Sequence, residues 1–89
     1  MVNAKVVLRN PLGLHLRPAG VLCTEALKYA SNVQIKKGNV VTNAKSVLGV
    51  LATGIRCGDE FEIICTGEDE EAALTKLIRL IEEGIGEKV

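Results

Sequence analysis

The apolar residues of this chain keep no single spacing. Valines crowd Ala4 to Leu8 just before the turn residues Asn10-Pro11-Leu12-Gly13, which reads as a strand. Ala19, Leu22, Cys23, Ala26 and Ala30 then recur at helical spacing over Leu16 to Ala30, and Ser31-Asn32 closes that run. Val33 to Lys37 alternates, Gly38-Asn39 turns, and Val40 to Thr42 returns as a short strand. Ser46 caps a short helix over Val47 to Thr53, stopped by Gly54, and Glu60 to Cys65 is the last strand. Leu74, Leu77, Ile78 and Ile81 form an amphipathic stripe behind the acidic first turn Asp69-Glu70-Glu71, and Gly84 and Gly86 end it. The order is β-α-β-β-α-β-α. It predicts an α+β open-faced sandwich: a four-stranded, mainly antiparallel sheet with three helices burying their stripes on one face.

At 89 residues the chain is one domain, 1–89, expected to be a monomer. Aromatics are only 2%, with no Trp, so aliphatic side chains fill the core and a base-stacking platform for nucleic acid is excluded. No apolar run approaches the roughly 20 residues that cross a bilayer, so no membrane insertion is expected. Met1-Val2-Asn3-Ala4-Lys5 lacks the pattern of a signal peptide. Cys23, Cys57 and Cys65 have no C-x-x-C spacing, which points away from disulfides and zinc and toward a reducing cytoplasm. The zero net charge conceals a division. Residues 1–58 carry eight basic side chains against Glu25 alone, and residues 59–89 carry ten acids against Lys76, Arg79 and Lys88. Either folding interleaves the halves, or the basic half keeps a face for a phosphate or an acidic partner.

Chemistry concentrates in Pro11-Leu12-Gly13-Leu14-His15-Leu16-Arg17-Pro18-Ala19-Gly20. Gly13 permits a tight entry, and Pro18 suits a first turn, where its missing N–H breaks no helical bond. His15, the one histidine, then stands at or beside the N-cap, facing the open N–H groups that make a helix start an anion site. Arg17 adds a guanidinium that can fork onto phosphate oxygens. A neutral imidazole nitrogen could accept a phosphoryl group, whose charge of roughly −2 would meet donors already in place. The plainer alternative is an ordinary loop-to-helix histidine beside a solvated arginine. A metal is not expected, because one histidine without nearby cysteine or carboxylate cannot complete a coordination sphere. No Asp or Glu lies close in sequence to orient the ring, and no cofactor is implied.

A second cluster is Asn43-Ala44-Lys45-Ser46-Val47-Leu48-Gly49-Val50-Leu51. Ser46 serves as an N-cap, and its hydroxyl at a helix start beside Lys45 is also a favourable place for a phosphate. Val47, Leu48, Val50 and Leu51 are either all core or partly exposed as a partner patch.

Gly13-Leu14-His15-Leu16-Arg17-Pro18-Ala19 together with Asn43-Ala44-Lys45-Ser46-Val47-Leu48-Gly49 resembles HPr, the histidine-containing phosphocarrier family of the bacterial sugar phosphotransferase system. The resemblance spans essentially the whole chain. It implies that His15 takes a phosphoryl group on Nδ1 from phosphorylated enzyme I, charged by phosphoenolpyruvate, with Arg17 assisting. The group would pass to the A domains of sugar-specific permeases. It implies that Ser46 is the target of an ATP-dependent HPr kinase/phosphorylase, whose product binds a catabolite-control transcription regulator. The family's docking surface maps onto Leu16, Arg17, Gly20, Thr24, Leu27, Val47, Leu48 and Leu51. A mainly regulatory module acting through Ser46, or a carrier in a nitrogen-linked phosphorelay, is the alternative. Three departures from the family pattern bear on partner choice: Leu16 replaces a small residue, Gly20 a frequent Thr or Ala, and Leu48 and Leu51 a frequent methionine.

Overall fold

Phe61, Ile63 and Cys65 alternate along β4 (Glu60–Thr66), and this strand sits inside the sheet rather than at its end. The computed structural model describes residues 1–87; Lys88, one of the basic residues of the second half, lies outside them with Val89. The other elements are β1 (Val2–Val7), α1 (Leu16–Ala26), β2 (Asn32–Lys37), β3 (Val40–Asn43), α2 (Val47–Ala52) and α3 (Glu70–Glu82). The strands pair antiparallel in the order β1-β4-β2-β3, as the expected open-faced sandwich requires.

Alternation sorts the strand side chains onto two faces. Val6, Val33, Ile35, Phe61, Ile63 and Cys65 point to the helices and meet Ala19, Leu22 and Ala26 of α1, Val50 of α2, and Ala73, Leu77 and Ile81 of α3. The helix α3 lies over β1 and β4, α2 over β3, and α1 against both other helices. On the open face, Glu62 of β4 stands opposite Lys5 of β1 on one side and Lys36 of β2 on the other. Inserting the acidic strand between two basic ones interleaves the charged halves, and opposite charges in register support the pairing. Lys37 and Asp59 add an ion pair at 2.8 Å.

Two boundaries differ from the sequence reading by more than one residue, for local reasons. The first strand starts at Val2, because Val2 and Asn3 still find partners in Cys65 and Ile64. The first helix ends at Ala26, not Ala30. Lys28 and Tyr29 donate to carbonyls three residues back, Glu25 at 3.1 Å and Ala26 at 3.3 Å, which tightens and closes the helix. The next two N–H groups, of Ala30 and Ser31, donate to Asp69 at 2.9 Å each, and the Ser31 hydroxyl joins them. Asp69 stands at the N-cap of α3 but makes no side-chain cap there. Its carboxylate instead ties the connection before β2 to the one before α3. Ser31 above all, then the backbone amides, hold that carboxyl below the usual aspartate range.

Candidate functional site

The segment before α1 is shaped by Gly13. Its backbone is left-handed (φ 78), and a Cβ there would lie 3.1 Å from the Ile55 carbonyl oxygen, so only glycine enters without strain. Leu14 then anchors the loop, buried and with its N–H on the Ile55 carbonyl at 3.0 Å. That places His15 at the N-cap of α1 in extended backbone, where its carbonyl accepts from Ala19 N–H at 3.0 Å. Pro18, in the first turn, offers no N–H. The N–H groups of Leu16 and Arg17 are therefore the open donors of that turn, without a partner among the described residues.

The ring does not cap the helix. The His15 side chain, 37% exposed, turns to Glu87, whose Oε2 lies 3.0 Å from Nε2. Sequence reasoning found no carboxylate for this ring because Glu87 is 72 residues away. It arrives through a hook after α3. Gly84, Ile85 and Gly86 all have positive φ (94, 49 and 79), and reverse the chain. For β-branched Ile85 such a backbone costs about 1–3 kcal/mol. Complete burial of its side chain, worth about 1.5–3 kcal/mol, offsets that cost. The hook is closed by Ile85 N–H on Leu80 O and Glu87 N–H on Gly84 O, both at 2.9 Å.

Asn10 is the second residue that the sequence concealed. It reads as a turn former but is 0% exposed. Its amide donates to the Gly84 carbonyl at 2.7 Å and to Glu87 Oε1 at 2.9 Å. Asn10, then the His15 ring and Arg17, hold the Glu87 carboxyl below its usual range. Arg17 is exposed and shares a groove with Leu12, Gly86 and Glu87. A second groove, of about 640 Å³, runs from His15 past Leu12 and Leu51 to Ile55, Arg56 and Cys57. Neither Arg17 nor Arg56 forms an ion pair among the described residues. Beside the ring the basic half thus keeps cations without an ion pair among the described residues, while on the open face of the sheet it interleaves with acids.

The expected docking residues fall in related but separate places. Leu16, Gly20, Thr24 and Val47 line one groove between α1 and α2 with Arg17. Leu51 borders the groove beside His15. Leu48 and Leu27 stand exposed outside both, Leu48 at 80%. Leu12, equally exposed and next to the ring, went unnoticed because it reads as a turn residue. Of Val47, Leu48, Val50 and Leu51, Val50 is core, Val47 and Leu51 are partly buried against it, and Leu48 is exposed.

Ser46 is the N-cap of α2, and its exposed hydroxyl accepts from Gly49 N–H at 3.1 Å. Lys45 does not reach toward it: the ammonium donates to the Tyr29 carbonyl at 2.7 Å. The Cys23 thiol bonds the Lys45 carbonyl, fixing this corner against α1. Cys23 and Cys65 are buried in the core and Cys57 is exposed at a turn. Among the described residues no cluster of His, Cys, Asp and Glu could hold a metal ion, and no helix is long and apolar enough to cross a membrane.

Residues 2–83 match the family model described as the PTS HPr component phosphorylation site. The HPr-like protein Crh of Bacillus subtilis is 38% identical over 96% of this chain and its own full length. The phosphocarrier protein HPr of Treponema pallidum is 35% identical over 99% of this chain and all of its own. Among solved structures, HPr-C-His from Thermoanaerobacter tengcongensis superposes with a TM-score of 0.95, at 35% identity, over the whole of both chains.

Proposed function

The chain belongs to the HPr family of phosphocarriers of the phosphotransferase system, and from that we propose that it carries a phosphoryl group on His15 as a single domain. Phosphorylated enzyme I is the donor, and the A domains of sugar-specific permeases are the acceptors. The carrying observation is His15 at the N-cap of α1, partly exposed, beside the open N–H groups of Leu16 and Arg17. A phosphoryl group on the ring is favoured by these donors, by the positive helix end and by the Arg17 guanidinium, which forms no ion pair among the described residues. Phosphoryl transfer needs positioning and charge stabilisation above all, and this loop supplies both. Leu16, Gly20, Thr24, Leu27, Val47, Leu48 and Leu51 form the surface on which partners dock. The protein works in the cytoplasm, without metal, cofactor, nucleic acid or membrane insertion. Incubation with enzyme I and phosphoenolpyruvate should give an acid-labile, base-stable phosphate that is lost in His15→Ala; equal labelling of that variant rejects the carrier role.

A second reading, a regulatory role through Ser46, is favoured by the exposed hydroxyl at a helix start and by the likeness to Crh. Here an HPr kinase/phosphorylase and ATP give an acid-stable phosphoserine that raises affinity for a catabolite-control transcription regulator. Unchanged affinity after modification removes that role.

A further inference from the structure

A residue from the far end of the chain decides what the His15 ring can do. Asn10 spends both amide hydrogens on the hook after α3, one on the Gly84 carbonyl at 2.7 Å and one on Glu87 Oε1 at 2.9 Å. Both targets are acceptors, so it is the amide nitrogen of Asn10 that faces them. The other oxygen of the same carboxylate, Oε2, lies 3.0 Å from His15 Nε2. A carboxylate accepts only, so the ring nitrogen facing it carries the hydrogen. In a neutral ring the lone pair then sits on Nδ1.

We propose that Glu87, held by buried Asn10, is a positioning residue that keeps His15 in its Nε2–H tautomer and so makes Nδ1 the nitrogen that takes the phosphoryl group. This rests on the reading of His15 as the acceptor. In the transfer the Nδ1 lone pair forms the bond to phosphorus. The bond from phosphorus to the donor breaks, and its electron pair leaves with the donor. Nε2 keeps its proton throughout, so no base is needed to free Nδ1. The phosphorylated ring with Nε2–H carries one positive charge, and the Glu87 carboxylate beside it offsets that charge. Passing the group on reverses these steps.

The amide of a glutamine at position 87 gives a sharp test, because it has one accepting oxygen for two donors. Asn10 is buried and its hydrogen needs an acceptor. In Glu87→Gln the oxygen therefore goes to Asn10, and the NH₂ group faces the ring. The ring nitrogen opposite must then accept, which forces the Nδ1–H tautomer. Long-range proton–nitrogen NMR of the His15 ring reads this directly on the unphosphorylated protein. The wild type should show a protonated Nε2 and a bare Nδ1 in the neutral ring. Glu87→Ala should draw the two nitrogen shifts together, and Glu87→Gln should exchange them. Adding Asn10→Ala to Glu87→Gln frees the oxygen to face the ring and should restore the wild-type pattern. Phosphoryl transfer from enzyme I should fall by about tenfold in Glu87→Ala, and further in Glu87→Gln. Identical ring shifts in the wild type, Glu87→Ala and Glu87→Gln overturn the proposal. Glu87 lies near the surface, so the two single variants decide it even where the Asn10 variant does not fold. A chain with the expected ring shifts that enzyme I never phosphorylates would reject the carrier reading alone.

Discussion

Gly20→Ala isolates one physical effect. Gly20 is the fifth residue of α1, in its interior and in ordinary helical backbone. A Cβ built there meets no heavy atom within 4 Å. The new methyl group therefore neither clashes nor gains burial, and what changes is the backbone freedom of the unfolded chain. Host–guest values put that at about 0.8–1.0 kcal/mol in favour of alanine. In a domain of this size each kcal/mol moves the thermal midpoint by about 4–8 °C, so the variant should melt roughly 3–8 °C higher. Thermal melts by circular dichroism, with urea titrations whose slopes match the wild type, measure it. Gly49→Ala is the control with the same chemistry and the opposite sign. Its Cβ would fall 2.3 Å from Thr42 Oγ1 and 3.3 Å from Ser46 Oγ. Overpacking of that kind costs about 1–3 kcal/mol, which outweighs the same gain in propensity, and the midpoint should drop. A Gly20→Ala variant that melts at or below the wild-type temperature, or two variants that move together, would refute the reasoning.

Ser46→Ala removes the acceptor of the Gly49 N–H and should lose about 1 kcal/mol, within about 0.5–2 kcal/mol, by urea titration; Ser46→Asp keeps an acceptor and should recover most of it. Acid should unfold the chain through its bonded carboxylates. Asp59, Asp69, Glu70 and Glu87 all bind their proton less readily when folded. Each therefore contributes stability that is complete above the ordinary carboxylate range and is lost as pH falls through that range toward the lowered folded values. Between neutral pH and pH 2 the thermal midpoint should decline, and Asp69→Asn should flatten that decline.

The elements and their order were legible because each carries its own period, and the helix start at His15 because Gly13, His15 and Pro18 punctuate it within six residues of chain. The charge division was legible as a count but not as an arrangement. The register that sets Glu62 between Lys5 and Lys36, and the Lys37–Asp59 ion pair, show how the halves are interleaved. What remained hidden depends on contacts between distant residues. Asn10 and Glu87 are 77 residues apart and meet through three left-handed residues, a geometry that no local pattern announces. Asn10 also has the composition of a turn, so its burial contradicts the usual placement of that residue type. The early end of α1 has the same origin: the donors that would extend it are taken by Asp69, 39 residues on from Ala30.

The place of β4 between β1 and β2 has a consequence for biosynthesis. During synthesis β1 and the β2–β3 hairpin emerge ahead of β4, as two pieces of sheet with no strand to join them. Until β4 leaves the ribosome the basic strands have no acidic partner, and their apolar faces have no α3 to cover them. Closure thus waits for β4 and α3, and the hook that reaches the histidine forms only after α3 has emerged.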